Sequence, residues 1–139
     1  DPKGSEYGNY RGATVVTPNL QEYELVVGAW QSEVEMSEMA AILLAKHDLS
    51  QLLVTRGAGG MTLFRLDEPP LSLPAKTQEV YDVTGAGDTV AAVVAMGLAM
   101  AAPWSDVLSV ANAAAGVVVG KLGTAVATLE EIKTFLGQR

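Results

Sequence analysis

The chain has 139 residues, enough for one domain with an ordinary core, and its 9 basic and 16 acidic residues give a net charge of −7, which argues against nucleic acid or an anionic membrane as a partner. It contains no cysteine, which excludes disulfides, thiolate nucleophiles and cysteine zinc sites and makes the cytoplasm the expected compartment. The longest apolar run, near residues 89–103, is shorter than the roughly 20 residues that a membrane-spanning helix needs.

The N-terminal segment predicts a polar loop, a buried strand and a short helix. Residues 13–17 predict the strand, which Pro18 ends. Asn19 and Glu22 have the spacing of a capping box, in which each side chain accepts a hydrogen bond from the other residue's backbone N–H, so helix formation alone explains both residues. Lys3, in the loop, is interpreted as a solvated lysine, with phosphate contact as the less favoured alternative.

The next segment predicts a helix and then a strand hairpin. An amphipathic helix is predicted from Ser32 to Asp48. Strands are predicted at residues 51–55 and 61–65, joined by the turn R-G-A-G-G, whose glycines suit the positive φ angles of a hairpin. The D-E-P-P segment that follows is predicted to be a loop, because proline cannot donate a hydrogen bond to a strand ladder.

The second half of the chain is organised around the stretch D-V-T-G-A-G-D, residues 82–88. It follows a β-like segment at residues 78–81 and precedes an apolar run at residues 89–102 that predicts a buried helix. Because the first turn of a helix has unpaired N–H groups and a partial positive charge, glycines there allow an anion such as phosphate to contact the backbone. Asp88 would repel a bare phosphate unless it receives a proton, a role that phosphoryl transfer to a hydroxyl supplies.

Other phosphate-binding fingerprints fit this stretch poorly. The dinucleotide fingerprint requires glycine where Val90 stands, and a P-loop ending at Lys121 requires glycine where Ala115 stands. The structural alternative is a helix start capped by Thr84 or Asp82, with glycines for close packing, and it stays open on the residues alone.

The C-terminal segment predicts two more helices. Ser105 is predicted to cap a helix that runs to Lys121 and contains Asn112, a lone amide among apolar residues that must find a hydrogen-bond partner. The glycine turn K-L-G-T-A follows. Thr128 and Glu131 then have capping-box spacing and predict the start of a final helix.

The D-V-T-G-A-G-D stretch resembles the C-terminal signature of the ribokinase-like (PfkB) carbohydrate kinases. The segments D-P-K-G, T-P-N-L-Q-E-Y-E and A-N-A-A-A-G extend the resemblance over essentially the whole chain. They are most similar to the heptose-phosphate kinases of lipopolysaccharide core assembly within that family. The resemblance implies a ribokinase-like three-layer α/β/α fold with a mostly parallel central sheet, of which residues 1–139 form the C-terminal half. The N-terminal half, which supplies most sugar contacts in the family, is expected to lie outside this chain.

The resemblance also implies roles for individual residues. Asp88 is implied to be the catalytic base, beside an anion hole formed by Gly85, Ala86 and Gly87. The residues implied to bind the nucleotide are Asn19, Thr55, Gly57, Gly60 and Asn112. The implied cation ligands are Glu22, which holds Mg²⁺ through water, and Asp82 and Thr84, which help to hold a monovalent cation such as K⁺. An acidic residue near the phosphates suits the oxygen ligands that Mg²⁺ prefers.

The implied reaction is ATP-dependent phosphorylation of the anomeric hydroxyl of D-glycero-β-D-manno-heptose 7-phosphate, on the route to ADP-heptose. The expected partners are therefore ATP and a phosphorylated sugar, and the isolated chain is expected to be inactive. A homo-oligomer is expected, because a partial domain leaves a sheet edge exposed. Two alternatives stay open: another ribokinase-like sugar or nucleoside kinase, which would share every phosphate-side motif, and a nucleotide-binding segment without catalysis.

Overall fold

The computed structural model of the chain describes residues 1–76 and 80–137. The chain divides into two compact units, Asp1–Ser72 and Leu73–Arg139, which are described in turn. Within the described residues, no helix has both the length and the apolar character needed to cross a bilayer.

The first unit contains two α-helices and most of a three-stranded sheet. Its helices are α1 (Leu20–Val27) and α2 (Glu33–His47), its strands are β1 (Gln51–Thr55), β2 (Met61–Arg65) and β3 (Glu68–Leu73), and short 3₁₀ turns lie at Tyr7–Tyr10 and Gly57–Gly59. The two predicted helices and the two predicted hairpin strands are confirmed. The α2 helix begins as predicted because the Ser32 hydroxyl accepts a hydrogen bond from the Glu35 N–H at 3.1 Å.

The sheet has the strand order β1-β2-β3, and β1 pairs antiparallel with β2, with Leu53 opposite Leu63. The strand predicted at residues 13–17 is less regular than expected. This part of the chain makes two isolated parallel bridges to β1, Val16↔Leu52 and Asn19↔Thr55. In the described residues, parallel pairing is thus limited to these bridges. The β1–β2 pair is antiparallel because the turn at residues 56–60 is too short for the crossover that parallel strands need.

The core of the first unit joins side chains from the N-terminal segment, both helices and the sheet. Its buried members include Tyr7, Val16, Tyr23, Met36, Leu44, Leu52, Val54 and Phe64. Tyr23 stacks on Phe64 with ring centroids 6.4 Å apart, and its hydroxyl donates to the Met36 carbonyl at 2.8 Å. The buried hydroxyl therefore has an acceptor, and burial raises the pKa of Tyr23 above its usual value.

The second unit is mostly helical in its described residues. It contains α3 (Ala86–Ala99), α4 (Trp104–Val119) and α5 (Leu129–Gly137). Its buried apolar residues are Val90, Val93, Val94, Val107, Leu108, Ala111, Ala113, Ala114, Val118 and Phe135. The apolar helix after the glycine stretch is confirmed, but it is not buried on every side, since Met96 is 59% exposed and Met100 is 79% exposed.

Two local predictions were wrong. Ser105 does not cap α4: the N-cap is Pro103, whose carbonyl accepts hydrogen bonds from the first turn, and Ser105 lies inside the helix. The D-E-P-P segment is not a loop, because Pro69 and Pro70 lie in β3. Proline is tolerated there because β3 is an edge strand of the described sheet and both prolines lie near its start. Half of the β-like segment predicted at residues 78–81 lies outside the described residues, and Val80 and Tyr81 are not part of a strand.

Candidate active site

The predicted anion hole lies at the start of α3, in the second unit. Gly85 is the N-cap residue, and its φ of +81° is a left-handed conformation that glycine adopts without strain. The Ala86 N–H donates to the Val83 carbonyl at 3.3 Å. Among the described residues, the N–H groups of Gly87 and Asp88 have no acceptor. These two donors are therefore available to an anion at the positive end of the helix dipole.

Asp88 lies in the first turn of α3, and its side chain is exposed to solvent. The fold therefore leaves this carboxylate open to a substrate hydroxyl. A proton acceptor and free backbone donors for an anion lie within the same helical turn, as transfer of a phosphoryl group to a hydroxyl requires. The assignment of Asp88 as the catalytic base stays a prediction.

Asp82 ties the glycine stretch to the turn that follows α4. Its Oδ1 accepts hydrogen bonds from the Thr84 N–H at 2.9 Å and the Thr84 hydroxyl at 2.7 Å, and its Oδ2 accepts one from the Gly123 N–H at 3.1 Å. These hydrogen bonds hold the pKa of Asp82 below its usual value. The bond from the Thr84 hydroxyl contributes most, followed by those from the backbone N–H groups of Thr84 and Gly123. Neither Asp82 nor Thr84 caps α3. Instead, the hydrogen bonds between them fix the backbone at Thr84, the residue before Gly85.

The side chains predicted to hold a monovalent cation are already hydrogen-bonded. Both carboxylate oxygens of Asp82 accept hydrogen bonds, and the Thr84 hydroxyl donates its proton to Asp82. A turn carbonyl, that of Val126, accepts a hydrogen bond from the Lys121 ammonium at 2.7 Å. In the structure these side chains are engaged in hydrogen bonds and are not arranged as ligands of a cation, so K⁺ binding stays a prediction.

Asn112 is buried in α4, with 8% of its surface exposed. Its side-chain nitrogen donates to the Pro74 carbonyl at 2.8 Å, which supplies the partner that a buried amide needs. Contact between Asn112 and a nucleotide stays a prediction, and the amide nitrogen is already engaged.

The candidate magnesium residue lies at the start of α1, in the first unit. Asn19 Oδ1 accepts from the Glu22 N–H at 2.8 Å, and Glu22 Oε2 accepts from the Asn19 N–H at 2.9 Å, so the predicted capping box is confirmed. The other carboxylate oxygen, Glu22 Oε1, lies 3.5 Å from the Lys3 ammonium. Capping thus leaves one Glu22 oxygen for another partner.

The Glu22 oxygen that capping does not use fits magnesium that is held through water, although Lys3 pairs with this oxygen in the structure. Mg²⁺ keeps several waters and is usually bound by one or two carboxylates together with substrate phosphates. In the part of the chain that the structure describes, no group of three or more His, Cys, Asp or Glu side chains could hold a metal ion. The phosphates of a nucleotide would therefore supply the remaining ligands, and the Mg²⁺ role of Glu22 stays a prediction.

The predicted nucleotide turn connects β1 to β2. Gly57 and Gly60 have φ angles of +55° and +86°, so both occupy the conformations that favour glycine. The turn is closed by the Arg56 N–H, which donates to the Gly60 carbonyl at 2.7 Å. The Thr55 N–H, just before it, donates to the Pro18 carbonyl at 2.9 Å. Asn19 also forms an isolated parallel β-bridge with Thr55. The structure therefore places Asn19, Thr55 and the glycine turn, all predicted to bind the nucleotide, together at one end of β1.

Sequence reasoning missed Arg56 as a residue that positions this turn. Its guanidinium pairs with both carboxylate oxygens of Glu33, in the first turn of α2, at 2.6 and 2.9 Å. The hydrogen bond from Arg56 holds the pKa of Glu33 below its usual value. An arginine inside a glycine turn was the available signal, but its partner lies 23 residues away and has no local pattern.

Free backbone donors beside an exposed aspartate, in a chain of helices and strands, are typical of the sugar-kinase class that the sequence predicted. The family model described as pfkB family carbohydrate kinase matches residues 2–131. This chain therefore belongs to the pfkB family of carbohydrate kinases.

Curated relatives are about 50% identical to this chain over the residues that align with it. The Bifunctional protein HldE of Psychromonas ingrahamii is 54% identical over 132 residues, which are 95% of this chain and 28% of the relative. The Bifunctional protein HldE of Klebsiella pneumoniae strain 342 is 53% identical over 139 residues, which are 100% of this chain and 29% of the relative. The chain thus spans less than a third of the length of these relatives.

Solved structures confirm the ribokinase-like fold. The ribokinase of Arabidopsis thaliana, solved with ribose and ATP, has a TM-score of 0.83 and 26% identity, covering 91% of this chain and 41% of that one. Phosphofructokinase-2 of Escherichia coli, solved with substrates and products, also has a TM-score of 0.83, at 16% identity, covering 95% of this chain and 43% of that one. The second match supports the fold alone.

Proposed function

We propose that this chain is the part of a sugar kinase that carries its ATP-side residues and its catalytic base. The proposed reaction is transfer of the γ-phosphoryl group of ATP to the anomeric hydroxyl of D-glycero-β-D-manno-heptose 7-phosphate. The products are ADP and the heptose 1,7-bisphosphate. The observation that carries the proposal is the exposed Asp88 beside the free N–H groups of Gly87 and Asp88.

The residues of the second unit have complementary roles in this reaction. The anomeric hydroxyl gives its proton to the Asp88 carboxylate while its oxygen bonds to the γ-phosphorus and the bond to the leaving ADP oxygen breaks. The free N–H groups stabilise the negative charge of the transferring phosphoryl group, with the α3 dipole adding to their effect. Because phosphoryl transfer depends mainly on positioning and electrostatics, a rigid helix start suits it.

The residues of the first unit supply the proposed nucleotide contacts. Gly57 is exposed and carries no Cβ at its positive-φ position, so its backbone is open to close approach by ATP, whereas Gly60 is buried and its positive φ shapes the turn. Glu22 would hold Mg²⁺ through water, and the cation would supply charge neutralisation on the phosphates.

The heptose assignment rests on two supports. The D-P-K-G and T-P-N-L-Q-E-Y-E segments resemble heptose-phosphate kinases, and curated relatives named Bifunctional protein HldE are 54% and 53% identical to the chain. The ribokinase of Arabidopsis thaliana was solved with ribose and ATP, which supports ATP as the phosphoryl donor proposed here.

The decisive experiment replaces Asp88 by asparagine in the natural protein that contains this chain. Asp88→Asn keeps the size of the side chain but removes the proton acceptor, so we expect kcat to fall by roughly 10²-fold to 10⁴-fold, the range for loss of a general base, with little change in the Kd for Mg·ATP. Asp106→Asn is a matched control, because Asp106 is an exposed acid in the first turn of the next helix, α4. Steady-state kinetics and titration calorimetry supply the two measurements.

Three outcomes separate the proposal from its alternatives. Wild-type kcat in Asp88→Asn would contradict the role of Asp88. Turnover of fructose 6-phosphate, ribose or adenosine in preference to the heptose phosphate would identify another kinase of the same family. Binding of Mg·ATP without turnover of any hydroxyl substrate would identify a nucleotide-binding protein without catalysis. Phosphorus NMR detects the new anomeric phosphate directly.

A further inference from the structure

Binding of ATP requires cations near its phosphates, and most of the described basic side chains are held by other groups. The pairs are Arg56 with Glu33, Arg65 with Glu68, Lys121 with Glu131 and Lys133 with Glu130, while Lys76 donates to the carbonyls of Phe135 and Leu136. Arg11 donates to the Lys46 carbonyl, and Lys46 lies in the last turn of α2. Lys3 differs from these residues, because its ammonium lies beside Glu22, the residue proposed to hold Mg²⁺.

The main chain at Lys3 is anchored to the core of the first unit. Its backbone N–H donates to the Tyr10 hydroxyl at 3.0 Å. The Tyr10 ring packs edge-on against Tyr7, at a centroid distance of 5.8 Å, and Tyr7 is fully buried. The backbone of Lys3 is therefore tied, through the half-buried Tyr10, to the buried Tyr7, even though the Lys3 side chain is 74% exposed.

The ammonium of Lys3 has two carboxylate neighbours at different distances. It lies 2.7 Å from Asp1 Oδ2 and 3.5 Å from Glu22 Oε1. Ion pairs between exposed side chains contribute little, so exchanging either carboxylate for a stronger partner costs little. The phosphates of ATP are such a partner, because they form the same charge-assisted hydrogen bonds as a carboxylate and together carry more negative charge.

We propose that Lys3 is a phosphate-binding residue, whose ammonium moves from Asp1 and Glu22 to a phosphate oxygen when Mg·ATP binds. This inference rests on the proposed function. Mg²⁺ bound near Glu22 would neutralise that carboxylate, which would weaken its attraction for Lys3 and leave the ammonium available to the more highly charged phosphates of ATP. Lys3 thereby adds the positive charge that Mg²⁺ alone does not supply.

The test compares lysine variants in the natural protein that contains this chain. Lys3→Met removes the charge and keeps much of the apolar stem, so we expect the Kd and the KM for Mg·ATP to rise about tenfold or more, as loss of a charge-assisted phosphate contact requires. The KM for the sugar phosphate and the melting temperature should stay unchanged. Lys133→Met is the matched control, because Lys133 is also an exposed, ion-paired lysine, and it should behave as the wild type.

Lys3→Arg separates a phosphate contact from a purely structural role. Arginine keeps the charge and also binds phosphate, so it should restore most of the Mg·ATP affinity lost in Lys3→Met. An unchanged Kd for Mg·ATP in Lys3→Met, or equal weakening in Lys133→Met, overturns the inference and leaves the Asp88 result standing. If the wild-type protein binds no Mg·ATP by calorimetry, the proposed function fails, and this inference fails with it.

Discussion

Asp82 illustrates how one side chain sets the geometry of a candidate catalytic turn. Its carboxylate accepts three hydrogen bonds, two from Thr84 and one from Gly123, and those two residues are far apart in sequence. Thr84 directly precedes Gly85, the N-cap of α3. The direction in which the free N–H groups of α3 point therefore depends on Asp82, although Asp82 itself need not touch a substrate.

We expect Asp82→Asn to lower kcat in the natural protein. The asparagine oxygen can still accept from Thr84, but its NH₂ group then faces the Gly123 N–H, so two donors oppose each other. A misplaced helix start should reduce kcat by roughly 10-fold to 100-fold, as expected for a displacement of about 1 Å. Kinetics measure the loss, and amide hydrogen exchange should show faster exchange at Gly123.

The control for this variant is Asp67→Asn. Asp67 lies in a surface turn at φ +59°, a conformation that asparagine also accepts, so kinetics should not change. Wild-type kcat together with wild-type exchange at Gly123 in Asp82→Asn would show that the tether does not position the turn.

At the scale of elements, the contact between α4 and α5 depends on the absence of a side chain at Gly116. A Cβ at this position would overlap the ring of Phe135, on α5, and would lie 2.9 Å from the Lys76 carbonyl oxygen. Neither the ring of a buried phenylalanine nor a backbone carbonyl can move away cheaply. The helix therefore contains a glycine where alanine would otherwise be the better helix former.

We expect Gly116→Ala to lower the free energy of unfolding. Alanine gains about 1 kcal/mol in helix propensity over glycine. Overpacking typically costs about 1–3 kcal/mol, and the contact with a backbone carbonyl places this site near the upper end of that range. We therefore expect a net loss of roughly 1–2 kcal/mol. Denaturant unfolding followed by circular dichroism measures the change. Gly137→Ala is the control, because a Cβ there meets nothing within 4 Å. Equal stability of Gly116→Ala and the wild type would mean that Phe135 repacks without cost.

At the scale of the whole molecule, sequence reasoning succeeded where the determinants are local. The capping boxes Asn19–Glu22 and Thr128–Glu131 are confirmed because both partners lie within one helical turn. Ser105 was predicted as a cap on residue type alone, but the backbone of Pro103 already begins α4. The Asp82–Gly123 contact joins residues 41 apart, and such a contact depends on how the helices pack rather than on any local pattern. The fold class and the capped helix starts were predictable from local patterns, whereas the contacts that orient the candidate residues were not.

Carboxylates in both units make the stability of the whole chain depend on pH. The pKa values of Glu33 and Asp82 are lowered in the folded chain. The pKa of Glu131 is lowered to about 2; the hydrogen bond from the Lys121 ammonium is the largest cause, and those from the N–H and hydroxyl of Thr128 are smaller. A lowered folded-state pKa means that the unfolded chain binds more protons between the two values. The stabilisation is thus fully present above about pH 4.5, the ordinary value for Glu, and is lost as the pH falls towards 2.

We therefore expect the melting temperature to fall steadily from pH 5 to pH 2.5, and to fall less steeply in Glu131→Gln. The variant already lacks the carboxylate, so acid removes less from it, and at pH 7 its melting temperature should lie below that of the wild type. Glu130→Gln, which removes the neighbouring carboxylate paired with Lys133, is the control and should keep the wild-type slope. Since the isoelectric point is about 4.5, melts followed by circular dichroism need dilute protein and a check of reversibility. If the melting temperature of Glu131→Gln falls with pH as steeply as that of the wild type, the contacts of Glu131 with Lys121 and Thr128 do not cause the loss of stability in acid. Other carboxylates would then cause it.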